Sequence, residues 1–265
     1  MDSPVPFFRE QGAGTGVVCL HSNASTSSQW RSLADLLSQR FHVIAVDGYG
    51  AGRSPDWPAG AAARLHEEVR LLAAVLDRAG DSFHLLGHSY GGAVAMKLAL
   101  ACSHRVRSVV VYEPTLFHLV VRGDPMDSPA QGIWQAASDA AAAVDGGDSH
   151  AGARRFIDFW MGSGAWDAMP AARQEAVAGS MRHVRRWRDA LFAETEPRSA
   201  FARLEVPVLC MAGDHSPESS LSVAGVLADT LPRVTFARQP GLGHMGPITH
   251  PERVNAQIAE FLARH

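Results

Sequence analysis

The stretch FHLLGHSYGGAVAMKLAL, residues 83–100, decides the fold. It begins as an apolar run typical of a buried strand, turns at a Gly-His-Ser-Tyr-Gly sequence, and continues as a helix that is apolar almost all round. A G-x-S-x-G pattern between a strand and a helix is typical of a nucleophile elbow, in which a strained turn exposes the serine hydroxyl at the top of a sheet. Gly87 and Gly91 remove side chains that would clash with the turn, and Gly92 allows the helix to pack closely on the strand. Five such residues also occur by chance in glycine-containing loops, so the flanking strand and helix are what make Ser89 a candidate nucleophile.

Further apolar runs alternate with helical patterns on both sides of this stretch. Such alternation predicts a mostly parallel, doubly wound α/β sheet with helices on both faces. The runs are almost continuously apolar, as expected for strands that are buried on both faces. We predict parallel strands at residues 17–20, 41–46, 83–86, 106–112, 206–212 and 234–237, and an earlier antiparallel strand within PFFRE. Helices are predicted for residues 65–76 and from Pro251 onward.

Residues 118–203 interrupt this alternation. The segment is rich in alanine, has helical periodicity, and contains the tryptophans Trp134, Trp160, Trp166 and Trp187. We therefore predict a helical cap inserted between the fourth and fifth parallel strands. Residues 1–117 and 204–265 would then form the core domain.

Composition excludes several classes of function. The 265 residues are 46% hydrophobic and 19% charged, with a formal net charge of -3, which gives no basic surface for nucleic acid or an anionic membrane. No apolar run approaches the roughly 18 residues that suggest a spanning helix, and the N-terminus has no secretory leader pattern. We expect a cytoplasmic protein with a small-molecule substrate. The three cysteines are predicted to be inert free thiols, and the sequence leaves the oligomeric state open, a homodimer included.

A serine nucleophile needs a base and donors for the oxyanion. Of the thirteen histidines, His244 lies on a glycine-bracketed loop, PGLGHMGP, after the last predicted strand, where open α/β sheets build their sites. The backbone N–H of Tyr90, the residue after the serine, is one predicted oxyanion donor. The second should come from the loop LHSNASTSSQW, where we favour Asn23 and leave Ala24 open.

Together these segments resemble the α/β-hydrolase fold superfamily. The resemblance runs over nearly the whole chain, through LHSNAS, DGYGAGRSP, GHSYGG, VPVLCMAGDHSP and PGLGHM. It implies an α/β-hydrolase fold with an inserted cap, a catalytic triad, and a reaction that needs no cofactor or metal. In the commonest form of the family the oxyanion loop begins His-Gly, whereas here it begins His21-Ser22. Asp47 falls in the family's loop after the second parallel strand and is interpreted as structural.

The triad acid departs from the usual family pattern. Most members place an aspartate three residues after the glycine that ends the strand before the last, and here that position is Ser216, counted from Gly213. A serine cannot hold an imidazolium by charge, so Asp214 is one candidate. Other members, the haloalkane dehalogenases among them, place the acid after the strand that follows the elbow helix. Glu113 stands there, 113 − 89 = 24 residues after the serine, as in those relatives, and the resemblance favours it over Asp214.

The predicted activity is that of a serine hydrolase. It would cleave an ester, thioester or lactone with an apolar or aromatic acyl part through an acyl-enzyme. The haloalkane dehalogenases use an aspartate where this chain has Ser89, so an alkyl-enzyme is disfavoured. Two alternatives stay open: a carbon-carbon bond hydrolase or lyase on the same fold, and a non-catalytic hydrolase-like binding protein. His21, Phe117 and Trp160 are candidate substrate-binding residues, although aromatic residues of the cap can equally form its own core.

Overall fold

The computed structural model describes residues 4–58, 60 and 62–265. Residues 1–3, the first residues of the predicted core domain, lie outside the described residues. The strands are β1 (Phe8–Gln11), β2 (Thr15–Leu20), β3 (Phe41–Val46), β4 (Phe83–His88), β5 (Val106–Tyr112), β6 (Val208–Gly213) and β7 (Val234–Gln239). The α-helices are α1 (Arg31–Leu37), α2 (Leu65–Leu76), α3 (Tyr90–Ala101), α4 (Gln131–Asp145), α5 (Ser149–Met161), α6 (Ala171–Ser180), α7 (Val184–Phe192), α8 (Arg198–Phe201), α9 (Glu218–Thr230), α10 (Gly246–Thr249) and α11 (Pro251–Leu262). Short 3-10 helices cover Ser27–Trp30, Ser103–Arg105, Phe117–Leu119, Pro125–Asp127 and Met181–His183.

The strands form one sheet in the order β1-β3-β2-β4-β5-β6-β7. β1 pairs antiparallel with β3, and every other pairing is parallel. The predicted fold class is therefore confirmed. β6 begins at Val208 rather than at residue 206, because Pro207 has no N–H to donate and only its carbonyl enters the sheet, accepting from Val109.

Alternate residues of the central strands pack into two separate hydrophobic cores, one on each face of the sheet. On β5, Val109 and Val111 pack with α2, α3 and α9, whereas Val110 and Tyr112 pack with α1 and α11. A strand that buries both faces needs no polar positions, which is why residues 109–112 of β5 are apolar without interruption. Of the two polar residues before them, Arg107 is exposed and Ser108 is hydrogen-bonded to His84. This packing fixes the carboxyl ends of the parallel strands at one edge, and the candidate site lies there.

The chain between β5 and β6 carries α4 to α8, in the region where the sequence predicts a cap. Trp166 and Trp187 are buried within this insertion, and Trp187 lies within 6.0 Å of the Phe156 ring, centroid to centroid. Some of its aromatic residues thus pack against one another within the insertion, and they join the same hydrophobic cluster as β5 and α3. In the described part of the chain, no helix combines the length and apolarity needed to cross a bilayer.

Candidate active site

Ser89 occupies the tight turn between β4 and α3. Its backbone is left-handed, with φ 55° and ψ −117°, a region that residues with a side chain rarely adopt. Its N–H donates to the carbonyl of Tyr112 at 3.0 Å, and its own carbonyl accepts from Ala93 at 3.0 Å and Thr115 at 3.2 Å. Contacts with α3 and with the end of β5 therefore hold the strained turn in place.

The two elbow glycines are required for different reasons. A Cβ on Gly87 would lie 2.3 Å from the carbonyl oxygen of Gly91, within the turn itself. A Cβ on Gly91 would lie 2.4 Å from the carbonyl oxygen of Leu20. The second glycine is thus needed for the close approach of α3 to the neighbouring strand β2, a contact between elements that the local pattern does not specify.

Three side chains at the carboxyl edge of the sheet form a continuous hydrogen-bonded chain. Ser89 Oγ lies 2.9 Å from Nε2 of His244, and Nδ1 of His244 lies 2.6 Å from Oε2 of Glu113. A carboxylate can only accept, so the network assigns the ring proton to Nδ1. Nε2 then has a lone pair directed at the serine hydroxyl. All three side chains are buried, and Glu113 is fully so.

Glu113 is held by backbone geometry and by two further donors. It follows β5 directly and has φ 46°, which turns its side chain out of the strand's alternation toward the end of β6. Its Oε1 accepts the N–H of Gly213 at 2.8 Å and the hydroxyl of Ser216. The serine at the usual aspartate position therefore donates to the acid that stands on the neighbouring strand. A buried carboxylate is costly unless it is hydrogen-bonded, and this one accepts from three donors.

Asp214, the other candidate acid, lies elsewhere. It is exposed at the end of β6, and its Oδ1 is 3.4 Å from Nε of Arg238 on β7. Its position one residue after Gly213 directs the side chain to the surface rather than toward His244.

Left-handed backbone marks the site. In residues 4–58, 60 and 62–265, the non-glycine residues with positive φ are Ala24, Ser89 and Glu113. Each such residue costs about 1–3 kcal/mol and persists only where its surroundings enforce it. All three lie on the segments that supply the predicted nucleophile, the acid and the oxyanion loop.

The oxyanion loop is tied to the base by a buried relay. The amide oxygen of Gln29 accepts the Ser22 N–H at 3.0 Å, and its amide nitrogen lies 3.1 Å from Nδ1 of His88. Nε2 of His88 donates to the backbone carbonyl of His244 at 2.8 Å. Burial, followed by the nearby imidazole of His244, keeps the pKa of His88 well below its ordinary value, so the ring is neutral. One neutral imidazole thus links the loop that carries Asn23 to the loop that carries the base.

Sequence reasoning did not assign Gln29 or His88 a role. A signal for His88 is that a histidine within a buried, mostly apolar strand must find partners for both ring nitrogens. Gln29 carries no such local signal. Asp47 behaves as the sequence predicts for a structural residue. Its carboxylate accepts the N–H of Ser27 at 2.6 Å and of Arg53 at 3.1 Å, which fixes the loop after β3 against the oxyanion loop.

The two predicted oxyanion donors, Asn23 and Tyr90, both lie close to the nucleophile along the chain or across a cavity. Tyr90 is the first residue of α3, where an N–H has no acceptor within the helix. Asn23 and Ser89 line the same small cavities. Ala24 differs in that its carbonyl accepts from Arg173 of α6, which connects the loop to the insertion.

Trp160 of α5 covers the imidazole of His244. The two rings are stacked, with centroids 3.8 Å apart and an interplanar angle of 22°. Phe117, which is fully buried, lines one of the two cavities that reach Ser89. These cavities measure about 20 and 30 Å³, enough for one or two waters but not for an acyl chain.

His21 does not reach these small cavities. Its Nδ1 donates to the carbonyl of Ser22 at 2.7 Å, and its Nε2 accepts the N–H of Gly48 at 3.1 Å. Burial lowers the pKa of His21, in keeping with a neutral ring committed to the backbone. Within the described residues, no three His, Cys, Asp or Glu side chains are arranged to hold a metal ion.

The profile of the alpha/beta hydrolase family matches residues 17–257. The chain belongs to the alpha/beta hydrolase family. The predicted family and the prediction of a hydrolase are thereby confirmed. Over 256 residues this hydrolase is 24% identical to carboxylesterase YbfK of Bacillus subtilis, a match that covers 93% of the chain and 79% of that protein. Over 106 residues it is 36% identical to the putative carbamate hydrolase RutD of Azorhizobium caulinodans, but this match spans only 40% of the chain and 39% of the relative.

Solved structures show the same architecture. The enol-lactonase from Burkholderia xenovorans LB400 superposes with a TM-score of 0.80 at 18% identity, covering 97% of this chain and 96% of that one. At this level of identity the likeness establishes the fold and leaves the substrate to be argued from the site.

Proposed function

We propose that this hydrolase cleaves carboxylic esters, thioesters or lactones through an acyl-enzyme on Ser89. The observation that carries the proposal is the unbroken chain from Ser89 Oγ through His244 to Glu113, at 2.9 and 2.6 Å. A serine hydroxyl becomes a nucleophile near neutral pH when an adjacent base takes its proton and an acid orients that base.

In the first step, Ser89 Oγ attacks the substrate carbonyl carbon while its proton passes to Nε2 of His244. The imidazolium that forms keeps its Nδ1–H on Glu113, whose charge stabilises it. The stacked indole of Trp160 adds to this, because the face of an aromatic ring attracts a cation. The N–H groups of Asn23 and Tyr90 stabilise the negative oxygen of the tetrahedral intermediate.

In the second step, His244 returns the proton to the leaving alcohol or thiol, and the carbonyl re-forms as an ester on Ser89. Water then attacks this ester while His244 takes its proton. When the bond to Ser89 Oγ breaks, His244 returns that proton to Oγ and the carboxylic acid leaves. The hydrogen bonds from Gln29 through His88 to His244 support both steps, since they hold the oxyanion loop and the loop of His244 in a fixed relative position.

Residues 118–203 act as a cap that opens for substrate in this proposal. Cavities of about 20 and 30 Å³ beside Ser89 cannot admit an ester, so Trp160 and its helix must move on binding. The names of the relatives, a carboxylesterase and an enol-lactonase, are in keeping with acyl transfer to water. The cytoplasmic location and the oligomeric state stay predictions.

A fluorophosphonate probe tests the nucleophile directly. The wild type should be labelled, and Ser89→Ala should not be, while Asp214→Asn serves as a matched control that should label like the wild type. Equal labelling of wild type and Ser89→Ala would remove Ser89 from its proposed role. Turnover of p-nitrophenyl acetate should exceed that of a vinylogous diketone. The reverse preference would favour carbon-carbon bond hydrolysis, and failure to turn over any activated ester would favour a binding protein.

A further inference from the structure

A larger cavity adjoins one of the small cavities at Ser89, on the far side of Asn23 and Trp187. Its volume is about 340 Å³, within the range of roughly 300–1,000 Å³ that is usual for small-molecule pockets. Asn23 and Trp187 line both this cavity and a small cavity that contains Ser89, so the two spaces share a wall. Its other walls are mainly apolar and aromatic and include Leu20, Val46, Tyr49, Leu72, Tyr90 and Val94.

Two carboxyl groups line this cavity, together with the guanidinium groups of Arg173 and Arg182. Glu175 is exposed, so Glu68 is the buried carboxyl of the pair. Glu68 of α2 lines the cavity and is only 4% exposed. Its Oε2 accepts the N–H of Tyr49 at 3.2 Å, and its Oε1 accepts the hydroxyl of Tyr90 at 3.3 Å. Both donors are neutral, so neither contact balances the charge of the carboxylate. Burial raises the pKa of Glu68 to about 7, in spite of these two hydrogen bonds.

This arrangement leaves hydrogen-bonding capacity unused. A carboxylate offers about four acceptor positions, and the two long contacts to Tyr49 and Tyr90 occupy two of them. The carboxyl therefore presents a buried, under-used acceptor at the wall of an apolar cavity. A small number of buried polar groups of this kind fix orientation and specificity in ligand pockets.

We infer that Glu68 recognises a hydrogen-bond donor, an ammonium or a hydroxyl group, carried at the far end of an apolar or aromatic part of the substrate. The inference rests on the proposed function, because it assigns the larger cavity to the same substrate whose carbonyl reacts at Ser89. Tyr90 connects the nucleophile to this cavity, since its backbone N–H is a proposed oxyanion donor and its hydroxyl donates to Glu68. The shared wall at Asn23 and Trp187 is where the substrate would pass from one space to the other.

The competing role for Glu68 is purely structural. Its contact with the N–H of Tyr49 holds the loop after β3, and that role needs no ligand. A structural carboxyl would give the protein no preference among ligands that differ only in their terminal donor. Ligand preference therefore separates the two roles.

Calorimetric titration with three ligands of similar shape tests the inference without requiring turnover. These are 4-phenylbutylamine, 4-phenylbutanol, and the methyl ether of that alcohol, which accepts hydrogen bonds but cannot donate. The wild type should bind the amine and the alcohol roughly 10- to 100-fold more tightly than the ether, as hydrogen bonds to a buried charged acceptor predict. Glu68→Gln should abolish the advantage of the amine and preserve part of that of the alcohol, because the amide oxygen still accepts.

Glu67→Gln is the matched control. Glu67 is the preceding residue on α2, pairs with His66 and Arg70, and does not line the cavity. The Glu67→Gln variant should bind each of the three ligands with an affinity within twofold of that of the wild type. Equal binding of the three ligands by the wild type would overturn the inference, even if Glu68→Gln failed to fold. An amine preference that survives in Glu68→Gln would also overturn it. If Ser89 is not acylated yet the ligand preference holds, the proposed function fails and the recognition site stands.

Discussion

Replacing Glu113 by glutamine tests how the acid controls the base. Oε1 of Glu113 faces two donors, the N–H of Gly213 and the hydroxyl of Ser216, so the amide oxygen of the glutamine should take that position. The amide nitrogen would then face Nδ1 of His244, where the carboxylate oxygen now lies at 2.6 Å. A donor there requires Nδ1 to accept, which moves the ring proton to Nε2. His244 could then no longer take the proton of Ser89.

The expected loss is large because the tautomer is wrong while the shape is preserved. The equivalent acid-to-amide change in a serine-protease triad lowers kcat by about 10⁴-fold, and we expect a similar loss in kcat with little change in KM. Turnover of p-nitrophenyl acetate measures it, and a thermal unfolding scan establishes that the variant is folded.

Asp214→Asn is the control for this change. It alters an exposed carboxylate that pairs with Arg238, a contact worth at most about 1 kcal/mol, so activity should stay within twofold of the wild type. Loss of activity in Asp214→Asn together with full activity in Glu113→Gln would refute the assignment of the acid.

Three further predictions follow from individual contacts. Ser216→Ala removes one donor to Glu113 and should lower kcat/KM for p-nitrophenyl acetate roughly tenfold, since a hydrogen bond to a charged group contributes about 1.5–3 kcal/mol; unchanged kinetics would show that the contact is dispensable. Trp160→Ala removes the ring stacked on His244 and should raise the ratio of p-nitrophenyl benzoate hydrolysis to p-nitrophenyl acetate hydrolysis several-fold, while lowering the free energy of unfolding by about 3 kcal/mol. A constant ratio would mean that Trp160 does not limit access. Glu68 has its pKa raised from 4.5 to about 7 in the folded state, so the folded protein keeps this proton longer than the unfolded chain and stability should fall by about 3 kcal/mol as pH rises from 4.5 to 7. Urea unfolding at both pH values should show that fall in the wild type relative to Glu68→Gln, and parallel pH dependence in the two proteins would contradict it.

The sheet could be predicted because most of its strands can be identified from their own local sequence. Strands such as β5 bury both faces over most of their length, so their sequences are almost continuously apolar, and the elbow at Ser89 joins one of them to a buried helix. The loop position of His244 follows from where parallel strands end. Glu113 was favoured by a resemblance in chain position, and its left-handed backbone explains how a residue directly after a strand can turn toward the end of the next one.

Contacts between distant segments could not be predicted in this way. The bond from Ser216 to Glu113 joins residues 103 positions apart, and the bond from His88 to the carbonyl of His244 joins residues 156 positions apart. Neither has a local pattern, because each depends on the order of strands in the sheet. Glu68 shows the same limit: on α2 it is one of two adjacent glutamates, and only packing distinguishes the buried one from its half-buried neighbour.

The most direct measurement is the identification of the acylated residue. The wild type is mixed with p-nitrophenyl acetate, quenched in acid during turnover, digested and analysed by mass spectrometry. The account predicts one acetyl group on the peptide that contains Ser89, and no acetylation or turnover in Ser89→Ala. Acetylation of a different residue, or undiminished turnover by Ser89→Ala, would contradict it.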